Sequence, residues 1–358
     1  MTEATVINLF TVLRVLVIVG FMLILPLITR KGLLFGAYVG EEFVEGDAAR
    51  GLVRRWNLGC LMLIAVSLVI GLGISLAGWP VTGNLTATAF VVLAGLALYL
   101  RTHYAAKAMA PPATTRQAEL STAPLDLGEP KGATLAKVAL GVCLLAGIAT
   151  VVYAMLAYEA MPDRSVTSVM LVPSFNLVFC PFLALMALLT TRAKRSVRAG
   201  SGGRSIEAQD AFRAAIARLL SGTALFTCAA LTFLSVELIR VGTSPAPSIG
   251  FGIVWIAGAM VLFVLGSLIW IIVKYGQGGA RLEEGSAAAP LTNGLADNTH
   301  WVWGVFYVNK GDSSILVEKR FGLGYTINLG NRKAVVLVVT VLVLLLGLTA
   351  LGLIEAIS

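Results

Sequence analysis

AVVLVVTVLVLLLGLTALGLIE, residues 334–355, holds its one ionisable group at its last position. It is apolar on every face and about as long as the roughly 20 residues that cross the hydrocarbon layer of a bilayer as a helix. Seven more stretches have the same character: 6–28, 58–78, 85–100, 137–158, 168–190, 219–239 and 249–273. The chain is 58% hydrophobic and only 13% charged, against roughly a quarter charged for soluble proteins. In water such a composition would leave large apolar patches exposed. The expected fold class is an all-α membrane protein, an eight-transmembrane-helix bundle. No basic n-region or small-residue cleavage site accompanies the first run, so it is expected to remain as a helix.

Of the 27 Lys and Arg residues, all but Arg14, Arg164 and Arg240 fall on alternate connections, 30–57, 101–137, 191–218 and 274–333. The short connections 79–84, 159–167 and 240–248 carry few. This is the positive-inside pattern. It predicts a bacterial cytoplasmic (inner) membrane protein with the basic connections inside and both termini extracytoplasmic. An odd number of spans would place some basic connections on the wrong side. The net charge of +8 is then explained by topology and by anionic lipids on the cytoplasmic face, with no nucleic acid as partner.

The first basic connection reads RKGLLFGAYVGEEFVEGDAARGLVRRWN (30–57). Asp47 is a candidate N-cap, and Ala48, Ala49, Leu52, Val53 and Trp56 share a helical face. The segment is expected to be a short interfacial helix before the second span, or else a solvated connector. Pro111, Pro112, Pro124 and Pro130 predict an irregular second connection. RAKRSVRAGSGGRS (192–205) has the composition of a disordered, lipid-contacting loop. Ser205 to Leu219 has the pattern of an amphipathic helix running into the sixth span, with Phe212 and Ile216 on its apolar side.

The last basic connection differs in kind. A linker, GQGGARLEEGSAAAP (276–290), precedes NTHWVWGVFYVNKGDSSILVEKRFGLGYTINLG (298–330). Trp301, Trp303, Val305 and Tyr307 alternate with other residues, Asn309 to Asp312 has turn character, and Ile315 to Val317 starts another strand. A β-hairpin closed at Asn309 to Asp312 is expected, with a third strand at Tyr325 to Leu329. It is too small to stand alone and should pack on the helix ends, its Trp residues in the interface. The organisation is therefore 1–273, a seven-helix region; 274–333, a linker and cytoplasmic β-hairpin module; and 334–358, the last helix.

This stretch resembles a domain of unknown function found near the C-terminus of uncharacterised bacterial multi-pass membrane proteins. The shared pattern is approximately W-x-x-G-x-F-Y-x-N-P-x-D-P followed by V-x-K-R-x-G-x-G-x-T-x-N. Its positions here are Gly304, Phe306, Tyr307, Asn309, Asp312, Val317, Lys319, Arg320, Gly322, Gly324, Thr326 and Asn328. Lys310 and Ser313 replace the pattern's prolines, and Glu318 stands where Pro is frequent. The first connection, around Phe35-Gly36, is similar to a post-helix motif of the same proteins. A further resemblance is to the immunity and signal-receptor family of the sporulation-delaying toxin system. Met161-Pro162-Asp163 corresponds to that family's extracytoplasmic motif, without its His. These resemblances imply a regulatory, immunity-like or accessory role and name no activity.

Ionisable or amide groups within spans are costly and point to function or pairing. Arg14, Asn176, Glu237 and Arg240 map to the outer half and are the ligand-binding candidates. Asn176 lies between Pro173 and Pro181, where the backbone ladder is expected to break. Arg14 paired with Glu237 would line an outward-facing polar cavity, the arrangement of a small-molecule transporter or permease. Snorkelling and helix–helix hydrogen bonds are the plainer reading. In the sixth span Ser221, Ala224, Cys228, Thr232 and Ser235 form a stripe suited to close packing. Cys60, Cys143, Cys180 and Cys228 lie in apolar runs without metal-ligand spacing and are expected to be packing residues. The only histidines, His103 and His300, fall in different connections. No catalytic, metal or cofactor motif is present, so the expectation is a non-enzyme without cofactors that acts through lipid contacts and a membrane-protein partner.

Overall fold

The computed structural model describes residues 3–110, 129–161, 165–195, 203–243, 252–282 and 298–357. Pro111, Pro112 and Pro124, most of the Gly/Ser/Arg-rich loop, Pro162, Asp163 and Arg164, and residues 283–297 of the linker lie outside them. Among the described residues eight helices are long and apolar enough to cross a membrane. They are α1 (Glu3–Ile28), α3 (Asp47–Leu76), α4 (Pro80–Ala108), α5 (Ala133–Tyr158), α6 (Val166–Thr190), α7 (Gly203–Thr243), α8 (Gly252–Lys274) and α9 (Arg332–Ile357). A short α2 (Glu41–Val44) follows the hairpin β1 (Leu33–Leu34) and β2 (Ala37–Tyr38). The chain is a multi-pass membrane protein with small β-hairpins before its last helix.

The spans form two groups. In the first, α1, α3 and α4 pack on one another; in the second, α5, α6 and α7 do, with α8 against α7 and α9 against α6. Packing of spans across the two groups is sparse. Small residues bring the helices close. A Cβ on Gly83 would collide with the Gly71 carbonyl oxygen, and one on Gly147 would lie 2.8 Å from Leu177 Cα. In α8 only Ile271 is buried, and side chains such as Trp255, Leu262 and Leu346 project outward, as lipid-facing helices require.

Several expectations are corrected. The separate interfacial helix does not exist: α3 is continuous, because Ala49, Leu52, Trp56, Cys60, Leu63, Ser67, Gly71 and Ser75 form one buried stripe from its first turn to its last. Gly46, not Asp47, is its N-cap. The third span is longer than 85–100 and starts on Pro80, a residue suited to the first helical position. Helix α6 runs through Pro173 and Pro181 without interruption; helices of membrane proteins tolerate such prolines where neighbours compensate. The amphipathic segment before the sixth span does join it. At 41 residues α7 is about 60 Å long, roughly twice the hydrocarbon thickness.

The module before α9 holds β3 (Trp301–Val302), β4 (Phe306–Tyr307), β5 (Leu316–Glu318) and β6 (Tyr325–Ile327). Its register corrects the expected hairpin. Trp301 pairs with Tyr307, so the first turn lies at Trp303-Gly304 rather than at Asn309 to Asp312. β5 pairs antiparallel with β6, Leu316 opposite Ile327, and a parallel bridge from Tyr307 to Asn328 joins the two hairpins. Residues 277–282 are also not free linker. Gln277, Gly278 and Gly279 are buried against α7.

Candidate functional site

The polar groups of the described residues concentrate where the module meets the basic ends of both helix groups. From the first group, Arg30 leaves the end of α1 and places its guanidinium 3.3 Å from Glu318 of β5, with side chains 0% and 2% exposed. Gln209 of α7 reaches the same carboxylate at 3.4 Å. Gln277, after α8, accepts from the Arg30 backbone N–H at 2.7 Å and donates to the Lys319 carbonyl at 2.6 Å. One buried carboxylate thus gathers α1 and α7, and Gln277 ties the turn after α8 to the backbone beside it.

A second layer ties the first connection to the module. Gly36 and Gly304 pass so closely that a Cβ on Gly304 would lie 2.6 Å from the Gly36 carbonyl oxygen, and Gly304 takes a φ of +69°. Tyr99 donates to the Trp303 carbonyl at 2.9 Å, and His103 Nδ1 lies 2.8 Å from the Phe35 carbonyl. Arg320 is fully buried. It donates to Asn298 Oδ1 at 2.6 Å and stacks its guanidinium 4.9 Å from the centre of the Trp301 ring. Trp301 is therefore buried, not in the interface where the module's Trp residues were expected. Trp303 is the exposed one of the pair.

The third layer is the motif itself. Asn328 is fully buried. Its amide donates to the carbonyls of Asn309, Asp312 and Ser314 and accepts from the N–H groups of Asn309 and Gly330. Tyr307 donates to Asp312 at 3.0 Å and accepts from the Asn309 amide at 3.1 Å. Lys194, just past α6, donates to Asp312 at 2.6 Å, and its backbone N–H bonds the Leu316 carbonyl. Burial alone would raise the Asp312 carboxyl; the Lys194 ammonium and the Ser314 N–H and hydroxyl outweigh it and hold the pKa at about 2. Burial lowers the pKa of Lys319. Gly322 and Gly324 turn β5 into β6 with φ of +85° and +92°, a conformation that penalises any side chain. Thr326 pairs with Val317.

The four outer-half candidates are not brought together. Arg14 donates to both the carbonyl and the side-chain oxygen of Asn84, at 3.1 and 2.6 Å, and Asn84 in turn donates to Thr11. Glu237 pairs with Arg240 one turn on, at 2.7 Å, so the expected Arg14–Glu237 pair is not formed. Asn176 is fully buried and donates to Thr232 of α7 at 3.1 Å, a helix–helix bond. Cys143, Cys180 and Cys228, from α5, α6 and α7, meet in one buried cluster with Ala139, Ala184 and Ala224. Among the described residues no group of three His, Cys, Asp or Glu is placed to hold a metal ion.

Sequence reasoning found the motif but missed Arg30, Gln209, Gln277, Asn298 and Glu318. Polar residues in basic connections look solvated, and only the fold brings them under cover. The arrangement is suited to holding helices in place; its polar groups are engaged with one another.

Residues 310–335 match a family of unknown function, DUF5808. No curated protein and no solved structure matches the chain. The chain is a membrane protein with eight candidate spans that carries, between Lys310 and Val335, the signature of that family.

Proposed function

We propose that this is a non-enzymatic protein of the bacterial cytoplasmic membrane, with a regulatory, immunity-like or accessory role exercised through protein or lipid contacts at its basic face. In this reading the basic face is cytoplasmic and both termini are outside. The observation that carries it is the clasp just described. Its buried ion pair and amide network join two helix groups that otherwise meet sparsely. The clasp also leaves Val302, Trp303, Phe306 and Leu329 exposed, with the Trp303 and Phe306 rings edge to face at 6.1 Å; exposed apolar groups that gather in this way mark contact sites. A ligand or partner that covered this edge would bear on how both groups stand.

Affinity purification from native membranes in mild detergent tests this reading. Co-recovery of a stoichiometric partner or of a specific lipid, lost when Trp303 and Phe306 are replaced by Ser, is expected. Recovery of the chain alone contradicts it. A second reading, a small-molecule permease, draws on the division of the spans into two groups. It requires a polar path through the outer half, and Arg14, Asn176 and Glu237 are each engaged separately. Uptake of solutes into vesicles holding the pure protein would favour the permease.

A further inference from the structure

A groove of about 460 Å³ runs along the outside of the first helix group, between α3 and α4. Arg55 and Arg101 line one end, and Gly59, Met62, Val66 and Phe90 are among the residues that line the rest. Arg55 stands 21 residues before the outer end of α3 at Leu76, and Arg101 stands 21 residues after the outer start of α4 at Pro80. At 1.5 Å per residue both lie about 32 Å from the outer ends, level with each other and one hydrocarbon thickness away. Val66 and Phe90 are each 11 residues nearer the outer side, about 16 Å deep, which is the depth of one leaflet.

Both guanidinium groups are exposed. Among the described residues neither donates a hydrogen bond nor has a carboxylate within ion-pair distance, in contrast to Arg30, Arg50, Arg195, Arg213 and Arg240. Two exposed arginines level with the headgroups, above an apolar groove one leaflet deep, match one kind of molecule in charge and in length. Guanidinium forks bind phosphate oxygens in pairs of hydrogen bonds.

We propose that the α3/α4 groove is a binding site for an anionic phospholipid, with its phosphate between Arg55 and Arg101 and one acyl chain lying past Gly59 and Met62 towards Phe90. The site deepens the lipid-contact reading of the basic face and rests on it. The residues that line it are not among those that form the clasp or the motif.

The test uses the full chain in nanodiscs of equal parts phosphatidylglycerol and phosphatidylcholine, with retained lipid read by native mass spectrometry after extraction. Wild type is expected to retain phosphatidylglycerol in preference to phosphatidylcholine. Replacing both arginines (Arg55→Gln with Arg101→Gln) should lower the retained fraction about tenfold, the scale of one lost charge-assisted contact. Met62→Trp, which plugs the groove without changing charge, should do the same. Lys131→Gln with Arg192→Gln, an equal charge loss elsewhere on the basic face, should leave retention unchanged. An equal fall in that control overturns the groove and leaves a diffuse lipid contact standing. Retention in the arginine and Met62 variants at the wild-type level overturns the site. Wild type that keeps no phosphatidylglycerol overturns both the site and the lipid reading beneath it.

Discussion

At the basic end of the bundle, ion pairs join parts of the chain that are far apart; at the opposite end the ion pair of the described residues joins two side chains one turn apart. Arg30 and Glu318 are 288 residues apart and buried together, and Lys194 reaches across 118 residues to Asp312. Glu237 and Arg240 lie a single turn apart, with the arginine half in solvent, and Arg14 is answered by an uncharged amide. Desolvating an ion pair is costly, and one lost partner leaves a buried charge uncompensated, whereas an exposed pair one turn apart contributes little. Long-range polar contacts therefore specify the geometry of the basic end. Had the end remote from the basic face been a binding cavity, its polar groups would converge; instead Arg14, Asn176 and Glu237 each bond to a different set of neighbours.

The largest expected effect comes from breaking the long-range pair. Arg30→Ala strands Glu318 and should destabilise the clasp by about 3–5 kcal/mol, read as early hydrogen exchange at 298–331 and a lower melting temperature in nanodiscs. Asn328→Ala comes next. It leaves several buried backbone groups of Asn309, Asp312 and Ser314 unpaired, at about 3 kcal/mol in total, with the loss confined to the module by the same measurement. Acid sharpens the contrast. The Asp312 pKa of about 2 lies below its ordinary 3.8, so the contacts of its carboxylate with Lys194 and Ser314 together contribute fully above about pH 4 and are lost as pH falls through 2, an effect of about 2 kcal/mol that Asp312→Asn should abolish from the pH profile. At the other end Asn84→Ala, which removes the amide facing Arg14, should cost about 1 kcal/mol. Glu237→Gln should cost no more than about 0.5 kcal/mol. A Glu237→Gln loss as large as that of Arg30→Ala would erase the distinction between the ends.

The spans were legible because length and apolarity are local properties, and the eight runs quoted from the sequence coincide with eight helices. The module was legible as a β-element from its aromatic and β-branched residues and its motif. Its register was not. The first turn falls at Trp303 and Gly304, both at positive φ, and a tryptophan gives no signal for that conformation. The Asn309 to Asp312 segment does turn, but it closes on the Asn328 side chain instead of aligning two strands. The continuity of α3 was hidden by Arg50, Arg54 and Arg55, which look like the end of an interfacial helix until Trp56 is seen buried beside Phe35. The clasp residues were hidden for another reason. Nothing in a sequence says which glutamine of a basic connection will meet a carboxylate 109 residues away.

In the proposed reading the clasp, rather than contact between spans, sets how the two helix groups stand relative to each other. Spin labels at Leu76→Cys and Leu156→Cys, on exposed positions at the ends of α3 and α5 remote from the basic face, report that relation as a distance distribution by pulsed electron paramagnetic resonance. A narrow distribution in the otherwise native chain that broadens or shifts when Arg30→Ala is added is the predicted result. An unchanged narrow distribution, in a variant whose module has demonstrably come loose by hydrogen exchange, would contradict it.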